Sequence, residues 1–260
     1  MIKTKEEAIN YINEQEASNI SFCKIGDGSK NLVVSLGSAN HGGFDRKGSL
    51  INLKYDNNNF DILYLRDMNY FATGRGRKQK ERLVGRWYLG GMEGIGKNIN
   101  HTLSFLKKQI NNYENVIFTG ISMGGYASIL FGSLLKINHV IAVNPQTDLE
   151  YILKNVYKDK RHQLTQLKKR KKQCPKTWKK YCNLKSYLND SVKYHLSFLD
   201  DKKYHGNKAL DGYFGLIMHS SHHLKNIIDF STVGVLKNVD TKCSNKQGKD
   251  VEAIISSLLI

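Results

Sequence analysis

Residues 116–126, Val-Ile-Phe-Thr-Gly-Ile-Ser-Met-Gly-Gly-Tyr, constrain the fold more than any other stretch of this 260-residue chain. They read as a β-branched strand that turns sharply through Ser122 into a helix-forming run over 126–131. Gly120 and Gly124 bracket the serine in the G-x-S-x-G spacing of a nucleophile elbow. That spacing has a steric reason: a Cβ at either glycine would collide with the adjoining strand or helix. The turn also aims the amide of Met123 at the place where an oxyanion would form, at the positive end of the helix that follows. A plain glycine-rich β-α turn is the bland alternative. The apolar strand before Ser122 and the helical run after it favour the elbow.

The same alternation of strand and helix extends along the chain. Residues 32–36 read as a strand that ends in a loop over 37–43, and 60–65 as another, closed by Arg66 and Asp67. From 97 to 111 the apolar residues Ile99, Leu103, Leu106 and Ile110 recur at helical spacing. Further strands are expected at 139–143, 192–199 and 213–218, and a closing helix at 251–258. Apolar strands separated by helices indicate an α/β fold, a mainly parallel sheet flanked by helices. The length suits one domain over 1–260. Within it, 149–189 breaks the pattern and reads as a basic helical cap insertion.

Between 154 and 185 thirteen Lys and Arg stand against one acid, Asp159, in a chain of formal charge +17. Such a balance attracts anionic partners. A solubilising helix pair is the alternative reading of the tract. The functional one is a cap that gathers a negatively charged polymer or phosphate groups through Lys168, Lys169, Arg170 and Lys171. Cys23, Cys174, Cys182 and Cys243 have no C-x-x-C spacing, so no metal site is expected. The start has no apolar run of signal-peptide length, and no stretch approaches the roughly 18 apolar residues that cross a bilayer. These features predict a cytoplasmic protein, with peripheral contact at an anionic inner-membrane surface compatible with its charge.

A serine hydroxyl needs a base to take its proton and an acid to fix that base's tautomer. After an elbow of this kind the acid and the histidine follow in chain order. The acid should end the strand after the cap, where Asp200 and Asp201 stand. The histidine should follow the last strand, and His219, His222 and His223 lie at or beyond residue 218. His219 belongs to the strand end, which leaves His222 and His223. A second oxyanion donor is expected from the loop after the first strand, at Gly37 or Ser38.

With these residues placed, the chain resembles the α/β-hydrolase-fold O-acetyltransferases of bacterial capsular polysaccharide. The resemblance spans roughly 32–236. It rests on Gly120-Ile121-Ser122-Met123-Gly124-Gly125, Val143-Asn144-Pro145-Gln146, Asp200-Asp201-Lys202-Lys203-Tyr204-His205 and Ser221-His222-His223. It implies Ser122 as nucleophile, Asp201 as acid rather than Asp200, and His222 as base rather than His223. It further implies acetyl-CoA as acyl donor, an anionic polysaccharide as acceptor and an acetyl-serine intermediate. A carboxylesterase or deacetylase shares the acyl-enzyme and differs only in taking water. A catalytically silent module that binds an anionic polymer is the reading from another class.

Two other signals are set aside. Residues 91–98 nearly match a phosphate-binding loop, but Asn98 stands where a hydroxyl residue would hold Mg²⁺. Arg75, Arg77, Lys78, Lys80 and Arg82 precede Trp87 and Tyr88, a mixture that can bind single-stranded nucleic acid. No nucleic-acid module accompanies them, so nucleic acid is not an expected partner and a solvated loop is the default.

Overall fold

The apolar runs pair into one sheet whose central strands are buried on both faces, as a parallel sheet requires. The computed structural model describes residues 2–18, 22–26, 28–38, 46–56, 59–67, 88–89, 99–155, 167–168, 171–198, 222–223, 225–227, 239–243 and 247–259. The strands are β1 (Phe22–Ile25), β2 (Asn31–Leu36), β3 (Asp61–Leu65), β4 (Asn115–Ile121), β5 (His139–Val143), β6 (Lys193–Phe198) and β7 (Val239–Cys243). Their order across the sheet is β1-β3-β2-β4-β5-β6-β7. β1 runs antiparallel to β3, and every other pairing is parallel. The parallel strands therefore all end at one edge, and β4, which carries the elbow, lies at the centre.

Alternate residues of each strand feed two separate cores. Leu32, Val34 and Leu36 of β2, Val116 and Phe118 of β4, and Val140 and Ala142 of β5 join one of them. Helices α3 (Ile99–Ile110) and α4 (Met123–Leu135) cover that face. Val33, Ile117, Ile141 and Val143 point into the other core. There α1 (Lys5–Ala17), α2 (Lys47–Asp56) and α7 (Gln247–Leu258) contribute Ala8, Ile12, Leu50, Ile51, Val251 and Ile255. α1 opens with a capping box: Glu7 N donates to Thr4 Oγ1 at 3.1 Å, and Thr4 N to Glu7 Oε2 at 3.3 Å.

Residues after β5 form α5 (Leu149–Asn155) and α6 (Pro175–Tyr181), inside the span read as a basic cap. Trp178, Tyr181, Leu184 and Leu188 are buried in the first core, so this segment packs as part of it. The strand expected over 213–218 lies outside the described residues. The strand that pairs with β6 on the side away from β5 is β7, later in the chain. Its sequence Val-Asp-Thr-Lys-Cys carries too few apolar residues to announce itself. Among the described residues no helix is long and apolar enough to cross a membrane, and no cluster of His, Cys, Asp or Glu could hold a metal ion.

β5 and β6 bring two histidines together. The rings of His139 and His195 stack at 5.6 Å and 28°, with Nδ1 and Nε2 3.4 Å apart. Burial, then the nearby His195 and Lys193, push His139 from the ordinary 6.5 down to about 4. The unfolded chain thus binds this proton more readily than the folded one. The site contributes its full stability above pH 6.5, and that contribution is lost as pH falls towards about 4. Urea unfolding across this window should show the protein losing stability with acid, by on the order of 1 kcal/mol from this partly solvated ring. A His139→Gln variant should show a flatter profile.

Candidate active site

Ser122 is the single residue between β4 and α4. Its φ of 56° and ψ of −113° lie in a region that L-residues seldom occupy, at a cost of order 1–3 kcal/mol. Hydrogen bonds on both sides hold the strain. Ser122 N donates to Val143 O at 2.8 Å, and Ser122 O accepts from Tyr126 N at 2.9 Å. A serine at a helix N-cap ordinarily turns its hydroxyl back onto the helix amides. Ser122 makes no such bond, and its hydroxyl has no hydrogen-bond partner among the described residues.

The glycines flanking Ser122 have the steric role expected of them. A Cβ on Gly120 would sit 2.3 Å from the carbonyl carbon of Gly124, and one on Gly124 would sit 2.0 Å from the carbonyl oxygen of Leu36. On the far side of α4, a Cβ on Gly125 would lie 3.1 Å from Pro145 Cα. The start of α4 is thus wedged between the end of β2 and the segment that leaves β5.

Of the expected oxyanion donors, Met123 is fully buried at the first position of α4. Gly37 N already donates to Leu65 O at 2.9 Å, so its amide is engaged with β3. Ser38, the other residue of that pair, is buried as well. Tyr88 braces this loop. Its hydroxyl donates towards Gly37 O at 3.1 Å and Leu65 O at 3.0 Å, and its ring meets Phe131 edge-on. Buried in this way, Tyr88 is no stacking platform for a nucleobase. The basic cluster before it and residues 91–98 lie outside the described residues.

The histidines dock on the segment that leaves β5. His222 Nε2 lies 3.2 Å from Asp148 Oδ2, and its ring stacks on Tyr151 at 3.5 Å and 7°. His223 is buried beneath, with Nδ1 3.2 Å from Thr147 Oγ1, which donates in turn to His223 O. Asn226 Nδ2 also reaches Thr147 Oγ1, at 3.2 Å. The segment is itself pinned to the chain after α6: Leu149 N donates to Cys182 O at 2.7 Å and Leu184 N to Thr147 O at 2.9 Å. Among the described residues no hydrogen bond joins Ser122 to either histidine. In chain order both histidines fall between β6 and β7, not after the last strand as the sequence led us to expect.

Asp200 and Asp201 lie outside the described residues, beyond the end of β6. Asp148, Tyr151 and Thr147 were not anticipated. Asp148 had one signal, its place immediately before a helical run, where an aspartate caps. In the basic tract, Lys171 Nζ sits 2.7 Å from Glu150 Oε1, which also accepts from Trp178 Nε1 at 2.5 Å. Burial pushes the Glu150 carboxyl up, but the bonds from Lys171 and Trp178 and the charges of Lys171 and Lys154 outweigh it. The net effect holds the group below the ordinary 4.5. Lys168 is exposed, whereas Lys169 and Arg170 lie outside the described residues.

The fold recurs in solved structures. The capsule O-acetyltransferase of Neisseria meningitidis serogroup A superposes with a TM-score of 0.60 at 12% identity, over 92% of this chain and 90% of that one. The chain has the α/β-hydrolase fold. A mutant of that meningococcal enzyme in complex with CoA is similar at a TM-score of 0.53 and 14% identity, over 92% and 91% of the two chains. Brefeldin A esterase, described as a bacterial homologue of human hormone-sensitive lipase, shares the α/β-hydrolase fold at a TM-score of 0.52 and 11% identity, over 90% and 69%. No protein-family model matches the sequence, and no curated protein sequence does.

Proposed function

We propose that the protein is a serine-dependent O-acetyltransferase, which moves an acetyl group from acetyl-CoA to a hydroxyl of a bacterial capsular or surface polysaccharide. The observation that carries this reading is Ser122. It is held in a strained backbone conformation at a helix N-terminus, with a hydroxyl that neither caps the helix nor bonds another described residue. Structural likeness to a capsule O-acetyltransferase, one form of which was solved with CoA, supports the choice of donor and acceptor.

In this mechanism His222 takes the proton of Ser122 Oγ as the oxygen attacks the thioester carbonyl. The tetrahedral oxyanion rests on the amide of Met123 and on one from the Gly37–Ser38 loop; losing one such donor costs about 3–4 kcal/mol of transition-state stabilisation. The C–S bond breaks, the leaving thiolate takes the proton from the imidazolium, and acetyl-Ser122 remains. A sugar hydroxyl then attacks that ester and gives its proton to His222. The bond to Ser122 Oγ breaks, and the serine recovers the proton. A carboxylate fixes the imidazole throughout, a role that the family resemblance gives to Asp201. The formal charge of +17 favours an anionic acceptor and peripheral contact with an anionic membrane surface.

The esterase reading draws on the brefeldin A esterase likeness and replaces the sugar hydroxyl by water. Incubation with acetyl-CoA, with and without anionic glycans, separates the two. Transfer predicts acetylated glycan and less free acetate when the acceptor is present. Free acetate that no glycan changes would contradict it. The KM for the glycan should rise with salt, as the screening length falls from about 10 Å at 0.1 M to about 3 Å at 1 M.

A further inference from the structure

Tyr88 shares with Ser122 a φ of 56°. For a bulky aromatic residue that conformation is a genuine outlier, and such strain persists only where the surroundings impose it. Here they do. Tyr88 N donates to Asp67 Oδ2 at 3.4 Å, both residues are buried, and the ring sits edge-on to Phe131 of α4. The strained backbone delivers the phenol hydroxyl to two carbonyls at once, Leu65 O at 3.0 Å and Gly37 O at 3.1 Å. Leu65 O also accepts from Gly37 N, at 2.9 Å. One buried hydroxyl thus ties the end of β3 to the first residue of the loop that leaves β2.

Gly37 O belongs to the same peptide unit as Ser38 N–H. In a trans peptide the two point in opposite directions, and this unit is trans. Tyr88 therefore fixes both: with the carbonyl turned onto the buried phenol, the Ser38 N–H is turned away from it. The unit also lies against the elbow. A Cβ placed on Gly124, the residue after Met123, would come within 3.1 Å of Gly37 O. We infer that Tyr88 is a positioning residue of the oxyanion site, whose hydroxyl orients the Gly37–Ser38 peptide so that Ser38 N–H and Met123 N–H serve one oxygen. This deepens the acyltransfer reading and rests on it. Asp67 gains a task as well, since its carboxylate holds the backbone of Tyr88. Buried as it is, Tyr88 acts through the loop rather than on the reacting atoms. What it supplies is the direction of a dipole, set before the reaction and so needing no reorganisation during it.

Isotopic labelling of the glycine carbonyls and the serine nitrogens makes only Gly–Ser peptide units visible by NMR: Gly28–Ser29, Gly37–Ser38, Gly48–Ser49 and Gly132–Ser133. Ser38→Ala removes one signal and so assigns it. In the resting protein Tyr88→Phe, which keeps the ring against Phe131, should move that signal and leave those of Gly28–Ser29 and Gly48–Ser49 in place. Reaction of the wild type with a fluorophosphonate puts a phosphoryl oxygen at the oxyanion position, and the Ser38 amide proton should shift downfield. In Tyr88→Phe it should shift less. Labelling of Ser122 should be about 10²-fold slower in that variant, the scale of a slightly misplaced catalytic group. Acetyl transfer should lose a similar factor in kcat, with KM changed far less. Leu106→Ala, which truncates a buried side chain of α3 in the same core, destabilises the protein without touching the hydroxyl and should keep the wild-type signal and rates. A Tyr88→Phe protein that labels at the wild-type rate, or a wild-type Ser38 amide that the adduct leaves unmoved, overturns the proposal. A wild type whose Ser122 takes up no label contradicts the acyltransfer reading itself, and the resting-state signal then decides separately whether Tyr88 orients the peptide.

Discussion

Replacing Ser122 by alanine lowers acetyl transfer by about 10⁴-fold or more, the scale seen when a nucleophile that works with a base and an oxyanion hole is removed. The same variant should fail to take up a fluorophosphonate. It should nevertheless fold normally, because the Ser122 hydroxyl bonds no other described residue and does not cap α4. Its backbone bonds to Val143 and Tyr126 survive in any residue with an amide and a carbonyl. Stability within about 1 kcal/mol of wild type is therefore expected. Ser122→Gly sharpens the point. Glycine adopts φ of 56° without steric cost, so this variant should be as inactive as the alanine one yet at least as stable. Activity and stability then move in opposite directions at one position, as they do where strain serves a site.

Gly124→Ala should have the largest effect on stability, about 3 kcal/mol or more in urea unfolding. The added methyl would lie 2.0 Å from the carbonyl oxygen of Leu36. That atom belongs to the backbone of a central strand and cannot rotate aside, so α4 would have to lift from the sheet. Ser122 would move with it, and labelling should fall as well. Gly28→Ala is the control. Nothing lies within 4 Å of the place its methyl would take, and a change within about 0.5 kcal/mol is expected. A Gly124→Ala protein as stable as wild type would mean that α4 does not press on the end of β2 as described.

The central strands were legible for the reason that makes Gly124 critical: the middle of this sheet is tightly covered on both sides. Strands such as β4 and β5, buried on both faces, have to be apolar almost throughout, and they read as strands with no help from structure. The edges do not share this constraint. β1 is four residues long with alternate positions exposed, and β7 is largely polar, so neither stands out from loop sequence. α1 was missed although Thr4 and Glu7 form a capping box that local spacing could have disclosed. In the site, Ser122 was legible because turn geometry requires its glycines. The Asp148–His222 contact was not, because it joins residues 74 positions apart. Chain order alone directed attention to Asp200 and Asp201 and to a histidine after the last strand, whereas β7 follows both histidines.

Trapping the acyl-enzyme decides whether Ser122 carries the acetyl group. The protein is incubated with acetyl-CoA without acceptor, quenched in acid and digested, and the peptides are read by mass spectrometry. A nucleophilic Ser122 predicts one acetyl group on its hydroxyl, absent from Ser122→Ala and lost when glycan is added before the quench. A protein that transfers acetyl to glycan while Ser122 stays unmodified, or that does so equally well without Ser122, would contradict it.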